Sequence, residues 1–182
     1  IALNEMDAIA WTFNIRGGDT AHTPLMQGYA IVHASGRADL FANPKKFSEE
    51  TVSKLGNRTV LHDIAQFPSK LAEAGKDGAK VRLDKNSATD WILSHLKDSG
   101  AEILYGDDPT KLFRARKNET EIKGAHQAHE RDGVAMVRFL RWLDETAPIE
   151  PLTELNISEK IEEMRRKSDQ FRDLSFPTIA GA

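Results

Sequence analysis

The sequence predicts an α/β fold in which a mixed sheet with flanking helices is followed by a helical hairpin. Three observations carry this. Over residues 1–113, short apolar runs alternate with helical stretches, the pattern of a sheet covered by helices. Residues 28–34 and 39–42 face each other across Ser35, Gly36 and Arg37, a spacing that predicts an antiparallel hairpin with Gly36 supplying the positive φ of the turn. After Asp108 and Pro109 the period changes to that of two long amphipathic helices.

Taken in order, residues 8–15 read as a strand stopped by Gly17, Gly18 and Asp19. The hairpin comes next. Ser48 then caps a helix running to Leu55, with Glu49 and Glu50 in its first turn. Residues 58–63 read as a strand and 68–74 as a helix closed by Gly75, with a short strand following at 81–83. Ser87 with Asp90 forms a capping-box pattern for a helix ended by Gly100, whose buried stripe is Ile92, Leu93 and Leu96. Residues 102–105 return to the sheet. With the helices all placed after the hairpin, the expected sheet is mixed.

Asn118 and Glu121 form a second capping box and open a helix reaching about Glu145. Ile122, His129, Met136 and Leu143 recur every seven residues, with Ala125, Gly133 and Leu140 beside them, and predict one broad buried stripe. Gly133 costs about 1 kcal/mol against alanine in mid-helix, which points to close packing there. Pro148 and Pro151 break the helix. A second begins near Thr153 with the stripe Ile157, Ile161, Met164, Ser168 and Phe171, so the two are expected to pair. Residues 174–179 read as a strand whose partners are not visible in this sequence, which suggests that the natural protein continues or that the helices fold back on the first domain. The expected domains are therefore 1–113 and an incomplete 114–182.

Composition narrows the function. The chain has 182 residues, is 40% hydrophobic and carries 25 basic against 28 acidic residues, a net charge of −3. That balance argues against a nucleic-acid or anionic-membrane surface. The absence of cysteine excludes disulfides, thiolate metal sites and a cysteine nucleophile. No apolar run approaches the roughly 20 residues of a membrane span, and the first residues carry no signal-peptide pattern. The expectation is a soluble cytoplasmic protein.

Few motifs carry chemistry. His126 and His129 share a helix side but lack the spacing and the glutamate of a zinc helix. His33 and His62 fall at strand ends and read as structural. Arg16, Gly17, Gly18 and Asp19 invite a phosphate-loop reading but have neither the lysine nor the glycine spacing for it. An Arg16–Asp19 pair stabilising a turn is the simpler reading. Arg165, Arg166 and Lys167 lie late in a helix, where they complement its dipole.

Several segments together resemble a known family. Met6-Asp-Ala-Ile-Ala-Trp-Thr-Phe-Asn-Ile-Arg-Gly-Gly-Asp19, with Thr23-Pro24 and Tyr29-Ala-Ile-Val32, resembles the middle domain of aminopeptidase P. Lys117-Asn-Glu-Thr-Glu-Ile-Lys-Gly124, Ala128-His-Glu-Arg-Asp-Gly133, Phe139-Leu-Arg-Trp-Leu143 and Asp173-Leu-Ser-Phe-Pro-Thr-Ile179 resemble, in order, the opening of that family's catalytic domain. The resemblance implies a creatinase-like domain followed by the first part of a pita-bread domain. It also implies a metallopeptidase that removes the N-terminal residue from Xaa-Pro peptides with two divalent ions, commonly manganese, and forms homo-oligomers.

The family's five metal ligands and its catalytic histidines follow the Ser-Phe-Pro-Thr strand, here residues 175–178. The resemblance therefore gives no catalytic or metal-ligand role to any residue of this chain, which is expected to be inactive alone. Arg16 and Asp19 remain as a candidate substrate or interface loop. The family usually has Arg-Gly-Ser-Asp and Asn-Pro where this chain has Gly18 and Thr23. The alternatives are a metal-free peptide- or protein-binding module of pita-bread type and a phosphate-binding domain using the Arg16 loop.

Overall fold

The computed structural model describes residues 1–181, in two compact units: Ile1–Arg116, and the residues from Lys117 onward. In the first unit a four-stranded sheet has the order β1 (Ala2–Leu3), β2 (Tyr29–Val32), β3 (Ala38–Ala42), β4 (Thr59–Asp63). The first two pairings are antiparallel and the third is parallel, so the sheet is mixed as expected. Gly36 takes the hairpin turn at φ 80°. A separate parallel pair joins β5 (Lys80–Leu83) to β6 (Glu102–Tyr105).

Residues 8–15 correct the sequence reading. They form no strand; Met6–Phe13 is the helix α1. An apolar run of this length fits a buried strand or a buried helix equally well, and the end signals decide. Asp7 lies in the first turn, while Asn14 adopts the left-handed conformation at φ 49° and returns its N–H to the carbonyls of Ala10 and Trp11. A helix thus precedes the hairpin, contrary to expectation. The next helices are α2 (Glu49–Leu55), α3 (Phe67–Ala74) and α4 (Asp90–Asp98). Ser48 caps α2 by accepting from Thr51 N–H, as read. At α4 the cap is Thr89, which accepts from Ile92 N–H, and not Ser87, whose N–H closes a turn onto the carbonyl of Asp84. The strand β1 and the helix α5 (Thr110–Ala115) were not expected at all.

Alternation along the strands builds two cores. Leu40 and Ala42 of β3 and Ala30 of β2 pack with Ile9, Ile15 and Met26 on one face. Ile31 and Phe41 pack on the other with Phe67, Leu71, Ile92 and Leu96 of α3 and α4. Phe67 is the centre of the second core, stacked on Tyr29 at 4.2 Å and edge-on to Phe41 at 5.2 Å.

In the second unit, α6 (Glu119–Thr146) and α7 (Glu154–Arg166) form the expected hairpin. Asn118 and Glu121 exchange a full capping box, and Thr153 does the same with Asn156. Part of the predicted stripe holds, since Met136 and Leu143 are half-buried beside the seam. Ala135, Phe139 and Thr146 are buried, whereas Ile122 and Leu140 are exposed and a Cβ at Gly133 would meet nothing within 4 Å. Length explains the exposed first half. At about 1.5 Å per residue, α7 spans only half of α6. Arg165 reaches Asp132 and Lys160 lies over Trp142, so α7 covers the C-terminal half and the residues before Asp132 stay uncovered. Residues 174–179 form no strand, because an extended segment needs a partner strand and this unit supplies none.

Candidate functional site

The loop from Arg16 to Gln27 follows the C-terminal end of α1. Arg16 donates from Nη1 to the carbonyl oxygens of Ala10 at 3.1 Å and Ile15 at 2.9 Å. A guanidinium there satisfies helix-end carbonyls and complements the negative end of the dipole. Asp19 does not pair with Arg16 as the sequence suggested. Its Oδ1 accepts from Lys46 Nζ at 2.5 Å and its Oδ2 from Gln27 N–H at 2.8 Å. The Lys46 bond, then that of Gln27, holds the Asp19 carboxyl below the ordinary carboxylate range.

The loop's two arms are laced by Gly17 N–H to the Pro24 carbonyl and Asp19 N–H to the Leu25 carbonyl. A Cβ at Gly17 would lie 2.7 Å from Met26 Cβ, so glycine is needed for this approach. Gly18 has open space, so the serine common in the resembled family would also fit. The phosphate-loop reading fails on polarity. The loop sits at the carbonyl end of a helix, which repels an anion.

The structure assembles two polar clusters that sequence reasoning missed. In the first, Asp84 at the end of β5 accepts from Asn86 N–H at 2.9 Å, Asp108 N–H at 2.9 Å and Lys111 Nζ at 2.5 Å. The Lys111 bond, with the two backbone bonds, holds its carboxyl far below the usual range against the opposing effect of burial. Asp108 accepts from both the N–H and the hydroxyl of Thr110, and Arg114 bonds Asp7 and lies 3.6 Å from Asp108. Together these groups pin α5 to β5 and α1. The Asp-Pro-Thr sequence at 108–110, a turn signal before a helix, was the available clue. In the second cluster, His33 and His62 both bond Asp39.

His126 and His129 are exposed on α6, where His129 Nδ1 bonds the carbonyl of Ala125. Among the described residues no group of three or more histidine, aspartate or glutamate side chains is placed to hold a metal ion. Nor is any described helix long and apolar enough to cross a membrane.

Residues 1–121 match the Creatinase/Prolidase N-terminal domain model, and the chain belongs to that family. Its relatives narrow the picture. It is 32% identical over 184 residues to Xaa-Pro aminopeptidase 1 of Dictyostelium discoideum, covering 99% of this chain and 29% of the relative. Aminopeptidase P1 of Arabidopsis thaliana is 31% identical over 225 residues, covering 99% of this chain and 35% of that protein. Among solved structures, the X-prolyl aminopeptidase of Caenorhabditis elegans, described as a cytosolic enzyme with a di-nuclear active site, superposes with a TM-score of 0.87 at 25% identity. That match covers 99% of this chain and 30% of the other. The Xaa-Pro dipeptidase of Bacillus anthracis, with a TM-score of 0.64 at 20% identity over 91% of this chain and 43% of that one, shares the fold. The chain thus spans about 30% of the length of these aminopeptidase relatives.

Proposed function

We propose that this chain is the middle domain and the opening helical hairpin of a Xaa-Pro aminopeptidase, a cytoplasmic homo-oligomer that removes the N-terminal residue from peptides with proline second. The observation that supports this most is the likeness of both units, in the same order, to one aminopeptidase structure across 99% of the chain. Two divalent ions, manganese in our reading, belong to the complete enzyme. The described residues do not fit such a centre, since no group of three or more histidine, aspartate or glutamate side chains among them is placed to hold a metal ion. In this reading the 182-residue chain supplies a scaffold, and the peptidase activity belongs to the complete enzyme.

What the chain's own residues contribute is positional. The Asp84 cluster fixes α5, and α5 leads directly into the capped start of α6. Arg16 and Asp19 brace the loop after α1. In the complete enzyme that loop reaches toward a peptide or a neighbouring subunit as a shaped, internally bonded surface.

Two proteins test the reading. The chain alone, dialysed against manganese and assayed on a Xaa-Pro peptide, is expected to retain no stoichiometric metal and show no turnover. A chimera that appends the remaining polypeptide of the Caenorhabditis elegans relative after Ala182 is expected to bind two metals and cleave the peptide. Turnover by the chain alone overturns the scaffold reading. A folded, two-metal chimera that leaves Xaa-Pro peptides intact overturns the aminopeptidase reading.

A further inference from the structure

The basic run that closes α7 leads straight into a serine. Arg165 and Arg166 stand in the last turn of the helix, Lys167 caps it, and Ser168 follows in a bend. No other serine or threonine of the chain has arginine both two and three positions before it. Kinases that select basic substrates pair acidic groups of their peptide cleft with such arginines, so the charge pattern chooses the serine. The Arg166 and Lys167 side chains are 59% and 57% exposed and bond Glu162 and Glu163 of α7 itself. Surface pairs of this kind contribute little, so a kinase can take both cations over.

Local structure favours Ser168 over its rivals. Ser48 follows Lys45 and Lys46, but its Oγ accepts from Thr51 N–H as the cap of α2, and Lys46 is held by Asp19. Ser175 has Arg172 three positions before it but Asp173 two before it, which an acidic cleft repels. Ser168 is half-buried, in a segment that forms neither helix nor strand. Its Oγ accepts from Gln170 N–H at 3.3 Å and donates to no described group, which leaves the hydroxyl proton free to be taken. Arg165, by contrast, is engaged across the hairpin. Its Nε and Nη2 donate to Asp132 Oδ1 at 2.7 Å and Oδ2 at 3.2 Å, a two-point bridge that ties α7 to α6. The N–H of Ser168 bonds the Arg165 carbonyl at 3.1 Å, so a group carried on Ser168 lies within one turn of that residue.

We propose that Ser168 is a phosphorylation site for a serine kinase that selects basic substrates, and that the phosphate draws Arg165 from Asp132 and loosens the end of α7. The step is a phosphoryl transfer from ATP. The serine oxygen bonds the γ-phosphorus as its proton passes to the kinase's base, the bond from the γ-phosphorus to the bridging oxygen breaks, and ADP leaves. The product carries about −1.5 to −2 charge and three strong acceptor oxygens. Those oxygens offer the Arg165 guanidinium a stronger partner than one carboxylate, while the same charge repels Asp132. The site lies within the second unit and does not depend on the aminopeptidase reading.

The catalytic subunit of a cyclic-AMP-dependent kinase, supplied with magnesium and ATP, tests this on the folded 182-residue chain. Peptide mass spectrometry is expected to find phosphate on Ser168, and Ser168→Ala should take up none. Arg166→Gln, which leaves the Asp132 bridge in place, should slow labelling by about tenfold or more, the loss of one charge-assisted bond to the kinase. In the phosphorylated chain, amide exchange at Met164 and Arg165, referred to amides of α4, should rise about threefold, the loss of one well-formed surface bridge. In Asp132→Ala, which lacks the bridge from the start, phosphorylation should leave that exchange unchanged. Failure to label Ser168 in the folded chain, labelling indifferent to Arg166, or an exchange rate that does not rise or rises equally in Asp132→Ala overturns the proposal.

Discussion

Replacing Asp84 with asparagine probes whether one buried carboxylate holds α5 in place. Asp84 is 4% exposed and receives three donors. The amide keeps the shape and one acceptor oxygen, so Asn86 N–H stays satisfied, while its NH2 group now faces Asp108 N–H and Lys111. Asp108 is also 4% exposed, so its N–H finds no water in exchange. An orphaned buried donor costs about 1–3 kcal/mol, and losing a charged acceptor lies at the upper end, giving an expected loss of about 2–3 kcal/mol.

Lys111→Met removes the other side of the ion pair. The Lys111 side chain is 41% exposed and that of Asp84 only 3%, so removing Lys111 costs the carboxylate one strong donor but leaves it the N–H groups of Asn86 and Asp108. Asp84→Asn, which orphans Asp108 N–H as well as Lys111, should therefore be the more damaging. Urea unfolding followed by tryptophan fluorescence in a Trp142→Phe background reports the first unit, since Trp11 stacks on Phe113 of α5 at 6.2 Å. With a urea slope of about 1–3 kcal/mol/M, the midpoint should fall by roughly 1–2 M. Equal losses in the two variants, or no shift in Asp84→Asn, would refute the claim that the carboxylate organises α5.

Three further outcomes are expected. Asp19, Asp39 and Asp84 all have depressed carboxyls, so their stabilisation is present above the ordinary carboxylate range and is lost as pH falls through the lower folded values; melting temperatures should drop between about pH 4 and pH 2, and an unchanged melt across that interval would contradict this. Gly133→Ala, which places a methyl group in open space within a helix, should stabilise α6 by about 0.5–1 kcal/mol in thermal circular dichroism, and a loss would show that the glycine is needed for packing. Arg16→Ala should cost about 0.5–1.5 kcal/mol through the helix-end carbonyls it bonds, while kcat/KM of the chimera stays unchanged; a tenfold loss of kcat/KM at unchanged melting temperature would instead give Arg16 a substrate role.

By itself the sequence determined the features that rest on local physics. Gly36 marked the hairpin because few residues other than glycine accept its φ of 80°, and the Ser48 and Asn118 caps marked helix starts because each offers a side-chain oxygen to an unpaired N–H. The mixed sheet was legible in a hairpin followed by a helix before the next strand, although a helix also precedes the hairpin. Tertiary structure decided whatever depended on neighbours. The apolar run at 8–15 became a helix because its ends could be closed by Asn14 and Arg16, and its burial alone did not distinguish the two forms. The first half of the α6 stripe stayed exposed because α7 reaches only half of its partner, a length mismatch that periodicity within α6 cannot reveal. Asp19 chose Lys46, distant by 27 positions, over the nearby Arg16, and Asp39 and Asp84 drew side-chain partners from 6 to 27 positions away. Charge recognises distance in space, and only the folded chain sets that distance.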